Sequence, residues 1–503
     1  MNSVAASICL VLVAAVIVLG FLAARWGNTG QINSLEEWAL GGRRFGTLIY
    51  WFLLGGDAYT ACTFIALPAL AYGAGAFAFY AVPYATITYP LAYLVASRLW
   101  LIGKKRGYLT TADFVRERFD SRALEVAIAL TGLLALIPYI ALQLIGMQAV
   151  LQSLGIGGLG SDAFLVVSFA LLAAFTFTSG LRAPALIAVV KDILIYATVI
   201  TAVVYIPSQL GGWHHVFSAA QTALAAKPKP GAILIAPGQY FAYSTLIFGS
   251  ALALFNYPQL ITSMLSAKNV DVVRRNMALL PAYTILLGLL ALLGFCALAA
   301  GINVGKQPNL AVPLLIAHFF PQWFTGIAYA AIIIGALVPA AIMAIGAANL
   351  FASNIFRSFS VRLAGQAALP ALRAKLLALV VLGTALVIAL TIRPEFAINF
   401  QQLGGAWMVQ TVPAGSIGLF TRWFDARALF AGWLTGMLAA AYMGISNGYS
   451  GTFVLHLGAW TLPGYVGFYA LVANLVVATA GTLMAQLANA APQRDLTSAA
   501  DYA

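Results

Sequence analysis

The stretch "LLGGDAYTAC", residues 53–62, puts a Gly-Gly pair and an aspartate inside a run otherwise made of Trp, Phe, Leu, Ala and Thr. The run continues on both sides for longer than the roughly 20 apolar residues that cross a bilayer core. Asp57 lies about ten residues into it, so roughly 15 Å deep at the helical rise. A carboxylate at that depth costs several kcal/mol unless it is paired or wetted, and marks a functional site by default. A structural ion pair or a protonated, hydrogen-bonded acid is the alternative. The glycines serve either to let the backbone open or to let another helix approach closely.

The rest of the chain agrees with a membrane reading. It has 503 residues, 62% hydrophobic and only 8% charged, where soluble domains carry roughly 25% charged residues. Apolar runs of span length recur from end to end, and the period-two alternation of barrel strands is absent. The sequence predicts an all-α membrane protein of about thirteen spans, near 4–24, 47–76, 78–101, 123–153, 162–180, 185–207, 240–265, 276–301, 325–356, 374–392, 397–420, 428–447 and 463–487. The net charge of +12 sits in short loops between spans, so it points to no nucleic-acid partner. Cys9, Cys62 and Cys296 give neither zinc spacing nor a disulfide framework. No Lys or Arg precedes residues 4–24, which read as a retained helix rather than a signal peptide.

Basic residues set the expected orientation. With the N-terminus outside, 22 of the 26 Lys and Arg residues fall in inside segments, and only Lys227, Lys229, Lys306 and Arg393 fall outside. Adding or dropping one span scrambles this asymmetry. His214 and His215, in the long outside loop 208–239, form a pair without a carboxylate and read as solvated. Residues 1–488 are expected to form one transmembrane domain. It comprises an extra first helix (1–25), repeats at 47–207 and 240–420, and C-terminal helices at 428–487. Residues 489–503 are expected to form a short cytoplasmic tail, with no room for an appended domain.

Two spans carry helix breakers in mid-membrane. The second holds Gly55, Gly56 and Pro68; the seventh holds Asn256, Tyr257, Pro258 and Gln259. A break frees carbonyls and amides that must find partners, and its physical use is a site at the midplane. Half-helix N-termini attract anions and unwound carbonyls hold cations. Breaks in spans two and seven imply two five-helix repeats of opposite orientation, the layout of an alternating-access transporter. Packing kinks alone are the plainer alternative.

Five segments together resemble the sodium:solute symporters: residues 41–75, "TTADFVRERFDS" (110–121), "SGLRAPALIAVVKD" (179–192), "LFNYPQLITSMLSAKNVDVVRRN" (254–276) and "GALVPAAIMAIGAANLFASN" (335–354). Within that family they look most like the rhizobial-type monocarboxylate permeases. The resemblance implies a leucine-transporter architecture, thirteen helices, an outside N-terminus and short acids as substrates. It also implies a sodium site between carbonyls of span two and a hydroxyl pair on span nine. Here that position reads Ala340, Ala341, Ile342, Met343, Ala344, Ile345, and neither Ala344 nor Ile345 offers an oxygen. A hard cation needs several oxygen ligands, so Ala341, Ala344 and Ile345 mark a degenerate sodium site. Asp192 matches a family acid on the inward cation route, and Lys191 beside it is unusual. A buried ammonium there can stand where sodium stands. The expected coupling ion is therefore a proton, with sodium second, and Asp57, Lys191 and Asp192 are its candidate partners. A snorkelling Lys191 is the alternative.

A small monocarboxylate needs one donor-rich end and an apolar wall. The candidate substrate residues are Gly56, Tyr59, Thr60 and Thr63 at the first break, and Tyr139 with Gln143, four apart on one helical face. Asn256 and Gln259 at the second break, and Trp407 with Gln410 on span eleven, complete the set. Helix–helix hydrogen bonding is the plainer role for each polar residue. Arg393 reads as an interfacial anchor or an anion attractor. The expectation is a proton-driven importer of pyruvate, lactate or propionate in a bacterial cytoplasmic membrane, with no cofactor, no metal and no obligate protein partner. A sodium-coupled carrier of another solute and a transporter-like channel or receptor are the competing readings. No nucleophile–base cluster within the spans suggests an enzyme.

Overall fold

A computed structural model describes residues 3–23, 34–156, 159–356, 369–391, 394–458, 460–489 and 494–502. Among them, ten helices are long and apolar enough to cross a membrane. The first is α1 (Ser3–Leu22). The other three segments expected to cross, 47–76, 240–265 and 397–420, are interrupted. The first is split into α3 (Thr47–Ala58) and α4 (Ala61–Ala74), after the short α2 (Leu35–Leu40). The second is split into α11 (Tyr240–Leu254) and α12 (Pro258–Leu265). In the third, Pro394–Met408 gives way to 3-10 turns and a four-residue helical turn.

Local chemistry explains both breaks. Thr60 starts α4 with a reciprocal cap: its hydroxyl accepts from the Thr63 amide at 3.2 Å, and the Thr63 hydroxyl faces the Thr60 amide at 3.4 Å. Such a cap satisfies amides that a helix start leaves orphaned. At the second break Pro258 occupies the first turn of α12, where its missing N–H costs nothing. The Gly pair has the second of its two expected uses. α3 runs straight through it, and the break falls later, at Tyr59–Thr60. A Cβ at Gly55 would stand 2.7 Å from the Tyr283 ring, and one at Gly56 2.9 Å from the Lys191 ammonium.

Around these breaks pack α5 (Ala81–Arg106), α7 (Arg122–Ser153), α9 (Arg182–Gln209), α14 (Ile285–Ala299) and α16 (Gln322–Leu350), with α6 (Thr111–Phe119), α8 (Leu159–Ser179), α10 (Trp213–Ala225), α13 (Val270–Leu279) and α15 (Ala311–Phe319) lying between them along the chain. All of α16 from Ala328 to Asn349 is buried. Small residues let it come close to neighbours: Gly346 lies against the Pro258 backbone and Gly326 against the Ala5 carbonyl. Membrane helices associate through such close contacts.

The prediction of helix alone needs one correction. Residues Thr452–Leu457 and Trp460–Tyr465 form an antiparallel two-stranded hairpin. It replaces the start of the expected span at 463, whose helix begins at Val466. Thr452–Leu457 reads TFVLHL, rich in β-branched and aromatic residues, which favours a strand. The long loop 208–239 also contains a helix, Trp213–Ala225. Arg393, residue 24 of the first expected span and residue 392 of the span at 374–392 lie outside the described residues.

One end of the bundle is closed by charge networks. Buried Arg43 donates to Glu36 at 2.7 Å and to the carbonyls of Leu265, Gly103 and Tyr108, pinning the ends of α12 and α5 to α2. Asn354 donates to Asp113 at 2.9 Å and Glu125 at 3.0 Å. On the same end, residues 494–502 fold back: Asp495 pairs with Arg118 and Arg422, and Asp501 with Arg106. At the other end a cavity opens.

Candidate functional site

Lys191 is fully buried on α9. Its ammonium donates to the carbonyls of Gly56 and Tyr59, the latter at 3.0 Å, and stands 3.0 Å from Asp192 Oδ1. An ammonium has three N–H donors, and here three oxygens face them. Two of those oxygens are carbonyls at the end of α3, where the helix stops and its last carbonyls lack intrahelical partners. The chain's own cation therefore fills the cradle at the first break. Lys191 does not snorkel.

Aromatic residues seal this pair. Tyr283 donates its hydroxyl to Asp192 Oδ2. Its ring lies 4.5 Å from that of Tyr59, whose hydroxyl bonds the Tyr283 carbonyl, and Tyr196 packs edge-on against both. The two carbonyls on the ammonium and the Tyr283 hydroxyl on the carboxylate offset part of the cost of burying the pair.

Asp57 is one residue from the Gly56 carbonyl, yet its carboxylate behaves differently. It is 2% exposed, and neither oxygen has a hydrogen-bond partner among the described residues. It lines a cavity of about 500 Å³ that runs from this depth to the exposed turn at Lys306–Pro308. Burying an unpaired polar group is costly, so this arrangement calls for a proton, a cation or a ligand group at Asp57.

The cavity wall draws on α4, α5, α7 and α11, and on the helix Pro394–Met408. Of the predicted substrate residues, Thr63 and Tyr139 line it. Gly56 and Tyr59 serve the Lys191 cradle, and Thr60 is the cap of α4. Gln143 points elsewhere and donates to its own helix at Tyr139 O. Asn256 accepts from Ser416 at 2.8 Å, and Gln259 is buried off the cavity. Gln410 donates to the Ala406 carbonyl, accepts from Asn474 and fills the space left by Gly436, so it ties helices together. Trp407 is half-buried, outside the cavity wall.

The cavity also uses residues not picked from sequence, among them Gln148, Gln152, Tyr84 and Gln401. Gln148 and Gln152 are four apart on α7, a spacing that puts both amides on one face. That spacing was legible; which face of α7 turns to the cavity was not.

Ala341, Ala344 and Ile345 are fully buried in α16. The helix approaches the Tyr59 carbonyl at Gly335, where a Cβ would lie 3.9 Å from that oxygen. None of these three side chains carries an oxygen that could ligate a cation.

A sequence model of the sodium:solute symporter family matches residues 38–440. The chain belongs to the sodium:solute symporter family. It is 46% identical over 480 residues to a monocarboxylate transport permease protein of Rhizobium johnstonii, covering 95% of this chain and 96% of that one. An uncharacterized symporter of Bacillus subtilis is 36% identical, with 94% and 92% covered. The fold is similar to that of a Na+-coupled sialic acid symporter in a substrate-bound outward-open state, with a TM-score of 0.76 at 17% identity over 98% and 99% of the two chains. A closed nucleobase-cation-symport-1 family transporter gives a TM-score of 0.51 at 13% identity, over 92% and 96%. These are leucine-transporter-type symporter folds, and the likeness concerns the fold. The chain is a multi-pass membrane transporter, not an enzyme.

Proposed function

We propose that this symporter imports short-chain monocarboxylates of the pyruvate, lactate and propionate type, by alternating access, driven by protons across a bacterial cytoplasmic membrane. In this reading thirteen spans include inverted repeats at 47–207 and 240–420, with the N-terminus outside and the C-terminus inside. Asp57, Lys191 and Asp192 form the coupling centre.

The observation that carries it is the occupied cradle: Lys191 contributes a tethered cation to the carbonyls of Gly56 and Tyr59. Lys191 and Asp192 cancel in charge, which leaves Asp57 as the unbalanced group at the buried end of the cavity, with Lys306 at its exposed mouth. An anionic substrate entering beside an ionised Asp57 meets like charge at low dielectric. A proton on Asp57 removes that repulsion, so anion and proton bind together, and each raises the affinity for the other. The 46% identical permease supports the substrate class. The exposed Lys306 at the cavity mouth offers a first electrostatic attraction to an acid.

Sodium coupling is the second reading, because the free carboxylate oxygens of Asp57 are hard ligands. Pyruvate uptake by purified protein in proteoliposomes separates the two. Proton coupling requires accumulation under an inward proton gradient without sodium. Accumulation under a sodium gradient alone, at equal pH on both sides, overturns it.

A further inference from the structure

Beside the main cavity lies a smaller one of about 50 Å³, sharing Tyr80, Tyr84, Tyr139 and Gln401 with it. Among the described residues its wall holds no Lys, Arg, Asp or Glu. Tyr257, the residue that caps α12 at the second break, is 3% exposed and lines this side pocket, with its hydroxyl bonded to nothing among the described residues. Gly405 forms part of the wall: a Cβ there would stand 3.1 Å from the Tyr465 hydroxyl and 3.9 Å from that of Tyr257.

We propose that this side pocket holds the carboxylate of the transported acid, and that the Tyr257 hydroxyl donates to it. The proposal rests on the monocarboxylate reading above and adds where the acid group sits. A pocket of this size has room for about three or four non-hydrogen atoms, given the volume one water occupies. A carboxylate has three. A buried hydroxyl without a partner is retained at a cost unless a ligand satisfies it. The start of α12 directs the positive end of its backbone dipole toward the break. Asp57 belongs to the wall of the main cavity and not to that of the side pocket. The acid group and Asp57 thus occupy adjoining spaces that share the Tyr84 and Tyr139 wall, so the charge on Asp57 still acts on the acid group at low dielectric, and the substrate's tail faces the apolar wall formed by Ala66, Leu67 and Leu70. A second carboxylate on the tail would face Asp57, so dicarboxylates are rejected.

Tyr257→Phe tests this with propionate, pyruvate and lactate as probes, measured as KM for uptake and as melting temperature without substrate. The expected result is a rise in KM of about 10- to 100-fold for all three acids. The melting temperature should be unchanged or raised, because only an unpaired hydroxyl is lost. A rise confined to pyruvate and lactate would assign the hydroxyl to their 2-oxygen and overturn the placement. An unchanged KM, with or without a lower melting temperature, would also overturn it. Should Tyr257→Phe not fold, Gly405→Ala places a methyl in the same pocket, and an unchanged KM there overturns the proposal equally. If the unmodified protein neither binds nor transports any of the three acids, it is the monocarboxylate reading that falls. If it transports them and the variants match it, only the pocket assignment falls.

Discussion

The two helix breaks do opposite things. At the first, the freed carbonyls of Gly56 and Tyr59 are already taken by the Lys191 ammonium. At the second, the Tyr257 hydroxyl is buried with no partner among the described residues. Both breaks are made by similar local means, a cap or a proline at the start of the following half-helix. They differ in what tertiary packing brings to them: a cation from α9 in one case, an open pocket in the other. The cation end is satisfied by the chain itself, and at the other end the described residues supply no partner to the hydroxyl.

The largest expected effect comes from emptying the first break. Lys191→Ala removes the donor to two carbonyls and leaves Asp192 buried without its cation, and breaking a buried pair in this way costs about 3–5 kcal/mol. The variant should melt well below the unmodified protein. Sodium should restore part of that stability, because the emptied cradle then offers carbonyl and carboxylate oxygens to a hard cation. Melting curves in sodium and in choline check this; equal curves for the variant would break the comparison.

Asp57→Asn is next. It keeps the shape and removes the charge. Uptake driven by a pH gradient should be lost while exchange of labelled for unlabelled pyruvate continues. Since the carboxylate has no hydrogen-bond partner among the described residues, stability should not fall. Loss of exchange as well as accumulation would instead make Asp57 part of the substrate's own contact.

Gly55→Ala probes the wall of the first break. Its methyl would stand 2.7 Å from the Tyr283 ring, whose hydroxyl holds Asp192. Overpacking of this kind costs about 1–3 kcal/mol, seen as a lower melting temperature. Gln410→Ala should cost about 1–2 kcal/mol of stability and leave KM unchanged, since Gln410 bonds Asn474 and the Ala406 carbonyl rather than lining the cavity. A raised KM would return it to the substrate site.

The smallest effect belongs to the folded-back tail. The hydrogen bond from Arg106 holds the Asp501 carboxyl down at about 2. A carboxyl lowered on folding stabilises above its ordinary value, near 4, and that stabilisation is lost as pH falls toward about 2. The clasp should therefore persist at all working pH values. The pair lies at the surface, so Asp501→Asn should raise hydrogen exchange across residues 494–502 with little change in melting temperature.

Much of the architecture was legible in the sequence because its causes are local. Span-length apolar runs, the caps and the prolines near residues 60 and 258 fix the helices and their interruptions. Asp57 and Lys191 stood out because charge in an apolar run is costly wherever it packs. The hairpin at 452–465 was missed because a short strand in an apolar region has too few residues to set its period against a helix. What only the tertiary structure decided is which polar group faces which. Tyr139 reaches the cavity and Gln143, four residues on, does not. Gln410 joins helices, and the hydroxyl of Tyr257, one residue from Asn256, has no partner among the described residues. Helical spacing says which residues share a face. The rotation of that face toward a cavity or a neighbour is set by the packing of small residues along helices such as α16, and no single helix carries that information.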